Sequence, residues 1–232
     1  MNGSIYLIPV TLGGDDFLKV IPEKVISFTR QLRFFIVEDI RSARRFLRLI
    51  DKEFPINDTV FFELNEHTTE SDIAHYLEPL SNGSDIGVLS EAGLPGIADP
   101  GARIIALAHK KKITVTPLSG PSSILLALIS SGLNGQNFTF NGYLPVKPAE
   151  RSAKLRELEK KAGDGYTQIF METPYRNQKM LESITTSCHN DTMLCIAADI
   201  TLPTESIRTM RISEWKRELP LLNGKLVVFV MQ

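Results

Sequence analysis

Two carboxylates and an arginine follow a short apolar stretch and could bind a substrate hydroxyl or phosphate. Glu38 and Asp39 come directly after Phe34–Val37, and Arg41 lies two residues further on. A carboxylate can accept the proton of a hydroxyl, and an arginine can bind phosphate oxygens. The same residues are equally typical of a helix N-cap at Asp39 and a surface ion pair, and both interpretations stay open at this point.

Further polar side chains follow two other predicted strands. The run Asn65-Glu66-His67 comes after Val60–Glu63, and Glu91 comes after Ile86–Leu89. The carboxyl ends of parallel strands meet at one edge of a sheet, which is where α/β proteins bind ligands. We therefore take Glu66 and His67 as candidate substrate-binding residues, although a surface histidine is the commoner role of such a residue. Glu91 either faces the same site or only caps the loop that follows it.

The stretch from Asp85 to Gly101 has the order strand, glycine-rich loop, helix. Five glycines and prolines fall between Gly93 and Gly101, so the backbone can turn sharply there. Asp99 is a candidate N-cap of a helix that includes Ala102 to His109. This arrangement is typical of a ligand cradle at a sheet edge, and an ordinary turn between strand and helix explains it equally well.

Four arginines recur at helical spacing just after Glu38. The apolar side chains of this helix would face the protein core, and they are Phe46, Leu47 and Ile50. The opposite side of the helix then carries Arg41, Arg44, Arg45 and Arg48. Taken alone, this row is more often a solvated basic face than a binding surface. It is also the best local cationic patch that the chain offers to a phosphate.

Composition limits the function classes. The chain has 232 residues, 43% of them apolar and 23% charged, and a formal net charge of −1. Such a balance predicts a globular protein without a global attraction to nucleic acid or anionic lipid. Cys188 and Cys195 lack paired spacing, so neither a disulfide framework nor a metal site is indicated. The amino terminus has no signal-peptide pattern and no apolar run is long enough to span a membrane, so we expect a cytoplasmic protein.

The pattern of elements predicts a two-domain α/β fold. In the first half, residues 1–117, strands alternate with helices, which favours a mostly parallel sheet. In the second half, residues 118–232, short strands follow one another closely, which favours mixed or antiparallel pairing. The predicted strands are 5–10, 34–37, 60–63, 86–89, 113–116, 137–143, 167–171, 193–198, 206–212 and 225–231. The predicted helices are 17–21, 41–50, 70–80, 102–109, 124–129, 149–161 and 177–186.

Six blocks of the sequence together resemble the tetrapyrrole methylase superfamily, and most closely its branch that methylates a cytidine ribose 2′-hydroxyl of small-subunit ribosomal RNA. The resemblance spans nearly the whole chain. It implies a two-domain α/β enzyme, a homodimer, with S-adenosylmethionine folded in the cleft between the domains. The blocks are Ile5-Tyr6-Leu7-Ile8-Pro9, Val37-Glu38-Asp39-Ile40-Arg41, Ser90 to Gly101, Leu118-Ser119-Gly120-Pro121-Ser122-Ser123, Asn141-Gly142-Tyr143-Leu144-Pro145 and Met171-Glu172-Thr173-Pro174-Tyr175-Arg176.

The resemblance also implies which residues contact the cofactor, many of them through backbone groups. Main-chain groups on glycine-rich loops can bind adenine and ribose while apolar side chains line the pocket. From the residues alone, Leu12, Ile97 and Ala197 would be ordinary core positions. The implied cofactor contacts are Pro9, Leu12, Leu94, Ile97, Ala98, Ser122, Ser123, Met171, Glu172 and Ala197.

The chain departs from the family pattern at two blocks. The turn that commonly has the sequence Pro-Thr-Pro-Ile-Gly-Asn-Leu is Pro9 to Asp15 here, and Ala-Arg-Glu-Leu-Thr-Lys is replaced by Ala197 to Leu202. An arginine and a lysine are thereby absent, and the chain ends directly after its last predicted strand, where the ribosomal enzymes tend to continue. Each difference removes possible phosphate contacts.

These observations predict an S-adenosylmethionine-dependent methyltransferase acting on a ribose 2′-hydroxyl of ribosomal RNA. Glu38, Asp39 and Arg41 are its candidate catalytic residues, and we expect neither a metal nor a membrane as partner. Two alternatives stay open. One is a methyltransferase that acts on a tetrapyrrole or another small molecule, and the other is a non-catalytic relative that only binds the cofactor.

Overall fold

The computed structural model describes residues 3–65 and 67–232. The chain divides into two compact units, the first ending at Ser122 and the second beginning at Ser123. Within the described residues, no helix combines the length and the apolar composition that crossing a bilayer requires.

The first unit contains one parallel sheet of five strands, as the sequence predicts. The strand order is β3-β2-β4-β1-β5, and every neighbouring pair is parallel. Parallel neighbours need crossover connections, which the helices of this unit supply. The strands are β1 (Ile5–Leu7), β2 (Phe34–Val37), β3 (Val60–Glu63), β4 (Ile86–Leu89) and β5 (Val115–Pro117).

Five helices connect these strands. The second of them buries Phe46, Leu47 and Ile50 and exposes its four arginines, as its pattern predicts. The two faces of the sheet pack against separate clusters, so Phe35 points into one core and its neighbour Ile36 into the other. The helices are α1 (Glu23–Thr29), α2 (Ile40–Ile50), α3 (Glu70–Tyr76), α4 (Glu78–Ser81) and α5 (Gly101–Lys110).

Two predicted helices of this unit are wrong in extent, and proline explains both. Residues 17–21 form only one 3₁₀ turn, Phe17–Lys19, and Asp16 makes no side-chain cap bond to it. Pro22 instead occupies the N-cap of α1, a helix that the sequence analysis missed. The predicted helix 70–80 is interrupted at Leu77 because Pro79 has no N–H to donate and its ring would clash with the preceding turn.

The second unit contains a mixed sheet, again as predicted, in the order β6-β7-β10-β8-β9. Only β6 and β7 pair in parallel, and the other three pairs are antiparallel. Its strands are β6 (Phe138–Tyr143), β7 (Thr167–Glu172), β8 (Met193–Ala198), β9 (Ser206–Arg211) and β10 (Val227–Met231). Its helices are α6 (Ser123–Ser131), α7 (Pro148–Gly163), α8 (Asn177–Ser187) and α9 (Ile212–Trp215).

The core of the second unit is built around aromatic side chains on β7, β10 and α9. Phe170 and Phe229 stack with ring centroids 5.5 Å apart, and the buried indole N–H of Trp215 donates to the carbonyl of Leu194 at 2.9 Å. Ile212 begins α9 and does not end a strand, because the backbone N–H of Arg211 donates to the Glu214 carboxylate and turns the chain into the helix.

Candidate active site

The carboxyl edge of the first sheet has a topological switch point between β2 and β4. These strands are neighbours, but β2 continues to β3 on one side of the pair and β4 continues to β5 on the other. Connections that leave neighbouring strands in opposite directions open a crevice at the strand ends, and α/β proteins bind ligands in such crevices.

A small cleft lies in this crevice and is open to solvent. Its walls come from three parallel strands and from the glycine-rich loop, which are distant in the sequence and are brought together by the sheet. Residues lining it include Glu38, Leu64, Leu89, Pro95, Asp99 and Gly101.

Glu38 is the acidic side chain that the end of β2 contributes to this cleft. Its Oε2 accepts the backbone N–H of Glu91 at 3.3 Å, which links the ends of β2 and β4. Within residues 3–65 and 67–232, no lysine or arginine forms an ion pair with it. Burial raises the pKa of Glu38, and the nearby charges of Glu91, Asp99 and Asp39 raise it further, whereas the Glu91 amide acts in the opposite direction.

Asp39 has a structural role at the start of α2. Its Oδ1 accepts the backbone N–H of Ser42 at 2.7 Å, which makes it the N-cap residue. The hydrogen bonds from Ser42 hold the pKa of Asp39 below its usual value. The capping alternative therefore describes this residue, and Arg41 lies exposed in the first turn behind it.

Asp99 stabilises the glycine-rich loop by accepting hydrogen bonds from its backbone. Both of its carboxylate oxygens accept the Gly96 N–H at 2.9 Å, and Oδ1 also accepts the Gly101 N–H at 2.7 Å. The helix cap position itself is Pro100, so Asp99 is not the N-cap that the sequence predicts. Burial raises the pKa of Asp99 although these bonds lower it. Between the bonded residues, Ala98 has a left-handed backbone with φ of 59°.

Gly93 has a left-handed backbone conformation that favours glycine. The residue has φ of 72°, and a Cβ on it would contact the Leu12 side chain at 3.2 Å and the Pro121 carbonyl at 3.4 Å. The loop itself therefore requires glycine here, whether or not a ligand approaches. Val10 and Gly93 also pair through the backbone at 2.9 Å, which joins the turn after β1 to this loop.

The cofactor contacts implied by the resemblance differ in exposure. Leu12 is buried, in agreement with the core alternative, whereas Ile97 is 43% exposed and cannot be a core residue. Leu94 is half-buried and Ala98 is exposed on the same loop. Ser122 is buried near the end of the first unit, and Pro9 packs within that unit against Gly120.

In the second unit, two of the implied contacts lie in one row of the sheet. Val228 of β10 pairs with Met171 on one side and with Ala197 on the other, so these three residues share a face. Ala197 is fully buried, which leaves its core interpretation intact. Ser123 is the first residue of α6.

Glu172 ends β7 with a fully buried side chain. Its Oε1 pairs with Arg176 at 2.6 Å and accepts the Thr173 N–H at 2.7 Å. Three buried atoms in this short segment have no hydrogen-bond partner among the described residues, namely Glu172 Oε2, Arg176 Nε and Asn177 Oδ1. Native proteins rarely leave such atoms unpaired, so this segment can receive a polar ligand or an ordered water.

The candidate substrate contacts lie on α2 and after β3. Arg44 lies 5.4 Å from the Phe61 ring centroid, Arg45 donates to Ser42 at 3.2 Å, and Arg48 donates to the carbonyl of Lys52. All four arginines of the row are exposed. Of the two candidates after β3, His67 is exposed, and Glu66 lies outside the described residues.

Arg103 is a residue of this edge that sequence reasoning missed. From α5 it donates to the carbonyls of Asn65 at 3.3 Å and Thr68 at 2.7 Å, which fixes the loop after β3. No local pattern marks it, because its partners lie more than thirty residues away in the sequence.

Comparisons with known proteins agree with this architecture. Residues 21–216 match the family described as Tetrapyrrole (Corrin/Porphyrin) Methylases. A Haemophilus influenzae protein named Ribosomal RNA small subunit methyltransferase I is 30% identical over 99% of this chain and 79% of its own length. A Vibrio cholerae protein of the same name is 29% identical over 92% of this chain and 71% of its own length. The solved structure of the methyltransferase CobJ shares the fold, with a TM-score of 0.63 and 16% identity over 98% of this chain and 93% of that one.

Proposed function

Because the chain belongs to the tetrapyrrole methylase family and is a methyltransferase, we propose that it methylates a ribose 2′-hydroxyl of small-subunit ribosomal RNA. The observation that carries the proposal is the similarity to proteins named for small-subunit ribosomal RNA methylation, which extends over 92% and 99% of this chain in two of them. The exposed arginine row of α2, a helix that begins two residues after Glu38, supports an RNA substrate.

We infer that the methyl donor is S-adenosylmethionine, which supplies a methyl group on a sulfonium sulfur when bound. Its ammonium, amino and hydroxyl groups suit the buried acceptors Glu172 Oε2 and Asn177 Oδ1, which have no partner in the described chain. The loop stabilised by Asp99 presents the exposed residues Ile97 and Ala98. The residues proposed to contact the donor are Pro9, Leu12, Leu94, Ile97, Ala98, Ser122, Ser123, Met171, Glu172 and Ala197.

The cleft of the first unit is the proposed place for the acceptor nucleotide. Glu38 lines it, and α2 begins two residues later with Arg41 in its first turn. With a formal net charge of −1, the chain attracts RNA through a local patch and not through its overall charge. Arg41, Arg44, Arg45 and Arg48 supply that patch, and His67 in the loop after β3 is a further proposed contact.

A small-molecule acceptor is the second candidate, because the matched family is named for corrin and porphyrin methylation.

Incubation with donor labelled in the methyl group tests the proposal. Fractionated RNA and fractionated metabolites from the protein's own host are offered separately, and labelled small-subunit ribosomal RNA is expected. Label in a metabolite fraction alone would identify the second candidate. Stabilisation by the demethylated donor without label in any fraction would contradict both candidates.

We also propose a homodimer that works in the cytoplasm, where ribosomal RNA would be available to it. On α6, Ile129 is 75% exposed, which leaves apolar surface for a second copy of the chain.

A further inference from the structure

Glu38 lines the cleft of the first unit that we propose for the acceptor nucleotide. We propose that Glu38 is the catalytic residue that receives this proton, and that the backbone N–H of Glu91 positions its carboxylate. The inference rests on the proposed function and deepens it, because it gives one residue of the cleft a defined step.

Glu38 lies at the switch point between β2 and β4. Glu38 follows β2 and Glu91 follows β4, the two strands that flank the switch point, so their hydrogen bond of 3.3 Å spans the crevice. The bond engages Oε2. The side chain also lines the cleft, and no cation of the described residues pairs with it, so the carboxylate is available to a hydroxyl.

Two of the three neighbouring carboxylates, those of Asp39 and Asp99, already accept backbone hydrogen bonds within their own segments. Asp39 accepts the Ser42 N–H and caps α2. Asp99 accepts N–H groups of Gly96 and Gly101 and holds the loop. The carboxylate of Glu38 accepts a hydrogen bond from a backbone amide, which fixes its direction without neutralising it.

The electrostatic surroundings suit a base. Partial burial and the charges of Glu91, Asp99 and Asp39 raise the pKa of Glu38 above its usual value, against the smaller effect of the Glu91 amide. A carboxylate with a raised pKa holds a proton more firmly, and a general base is most effective when its pKa approaches the working pH.

The step balances as a simple displacement. The acceptor oxygen forms a bond to the methyl carbon while the bond from that carbon to sulfur breaks, and the electron pair of the broken bond stays on sulfur. The hydroxyl proton passes to the Glu38 carboxylate and then to solvent. The products are a methyl ether and the neutral thioether form of the donor, and no oxidant or further reactant is needed.

Glu38→Gln tests the assignment, because it keeps the size of the side chain and removes the base. We expect kcat for methylation of host ribosomal RNA to fall by about 100-fold or more, with the Kd for the demethylated donor and the KM for RNA unchanged. In the wild type, kcat rises with pH as Glu38 ionises, and this limb is absent from the variant. Glu53→Gln, an exposed glutamate of the same unit, is the matched control and keeps both kcat and the limb.

Each outcome decides the question. A wild-type kcat and pH limb in Glu38→Gln would overturn the assignment while leaving the proposed function intact. A wild type that methylates no RNA would overturn the proposed function and the assignment with it. If Glu38→Gln does not fold, Glu38→Asp replaces it, with a lowered kcat and a retained pH limb expected; an unchanged kcat would overturn the assignment.

Discussion

A Cβ on Gly120 would lie 2.1 Å from the Cβ of Pro9. The turn after β1 and the turn after β5 therefore touch at a position where no side chain fits. These turns carry two of the six blocks that resemble the family, so the close approach explains why proline and glycine occur together there. The two adjoining loops can therefore keep their shape only if residue 120 has no side chain.

Gly120→Ala is expected to destabilise the protein, because the new methyl group must displace Pro9. Overpacking of this kind costs about 1–3 kcal/mol, which urea denaturation measures as a lower midpoint. Gly163→Ala is the control, since a Cβ there meets nothing within 4 Å. Equal midpoints for both variants would contradict the close packing of the two turns.

Asp39 offers a test that separates helix capping from catalysis. Asp39→Ser retains a side-chain oxygen for the Ser42 N–H, so we expect stability and kcat near those of the wild type, whereas Asp39→Ala loses about 1 kcal/mol of unfolding free energy. The stabilising contribution of Asp39 is present above the ordinary pKa of 3.8 and disappears as the pH falls through the lowered folded-state pKa. A large loss of kcat in Asp39→Ser with normal stability would assign Asp39 to catalysis instead.

The arginine row predicts a separation between RNA binding and donor binding. Reversing two charges in Arg44→Glu/Arg48→Glu is expected to weaken RNA binding. The salt slope of that binding should fall by about one unit for each phosphate that the variant no longer binds. The Kd for the demethylated donor, measured by calorimetry, is expected to stay unchanged, because none of the residues proposed to contact the donor lies on α2.

The control for this variant has the same spacing on another helix. Arg156→Glu/Lys160→Glu reverses two exposed cations four residues apart on α7. If it weakens RNA binding as much as the α2 variant, the effect arises from net charge and the row is not the contact surface.

The exposed apolar surface of α6 predicts the oligomeric state. Light scattering of the wild type is expected to give twice the chain mass of 25.9 kDa. Ile129→Glu places a charge at the 75% exposed apolar position and should shift the mass toward the monomer without loss of folding. A wild type that stays monomeric at every concentration tested would contradict the homodimer.

Much of the fold is predictable from the sequence because its strands are short runs of β-branched and aromatic residues between clear turn signals. The order of those strands is not, since β2, β3 and β4 have similar apolar patterns and could pair in several ways. The parallel sheet and the mixed sheet follow from the length of the connections, which decides whether a crossover helix can fit. Two helix predictions were wrong, at the boundaries that Pro22 and Pro79 set.

Individual residues of the candidate site can be predicted from the sequence, but their arrangement in space cannot. The sequence marks three acidic residues at strand ends, namely Glu38, Asp39 and Glu91. Their separate roles depend on the pairing of β2 with β4, which the local sequence pattern does not predict. Asp39 and Asp99 are both acidic residues before a helix, yet one caps its helix and the other binds a loop amide at Gly96. Such differences come from backbone geometry that the sequence does not display.

The activity that we propose for the chain is methylation of a ribose of small-subunit ribosomal RNA. The most direct measurement digests that RNA to nucleosides after reaction with methyl-labelled donor and determines by mass spectrometry which part of the nucleoside carries the label. We expect label on the ribose of one nucleoside, strongly reduced in Arg44→Glu/Arg48→Glu. Label on a base, or on a small molecule with no label in RNA, would contradict it.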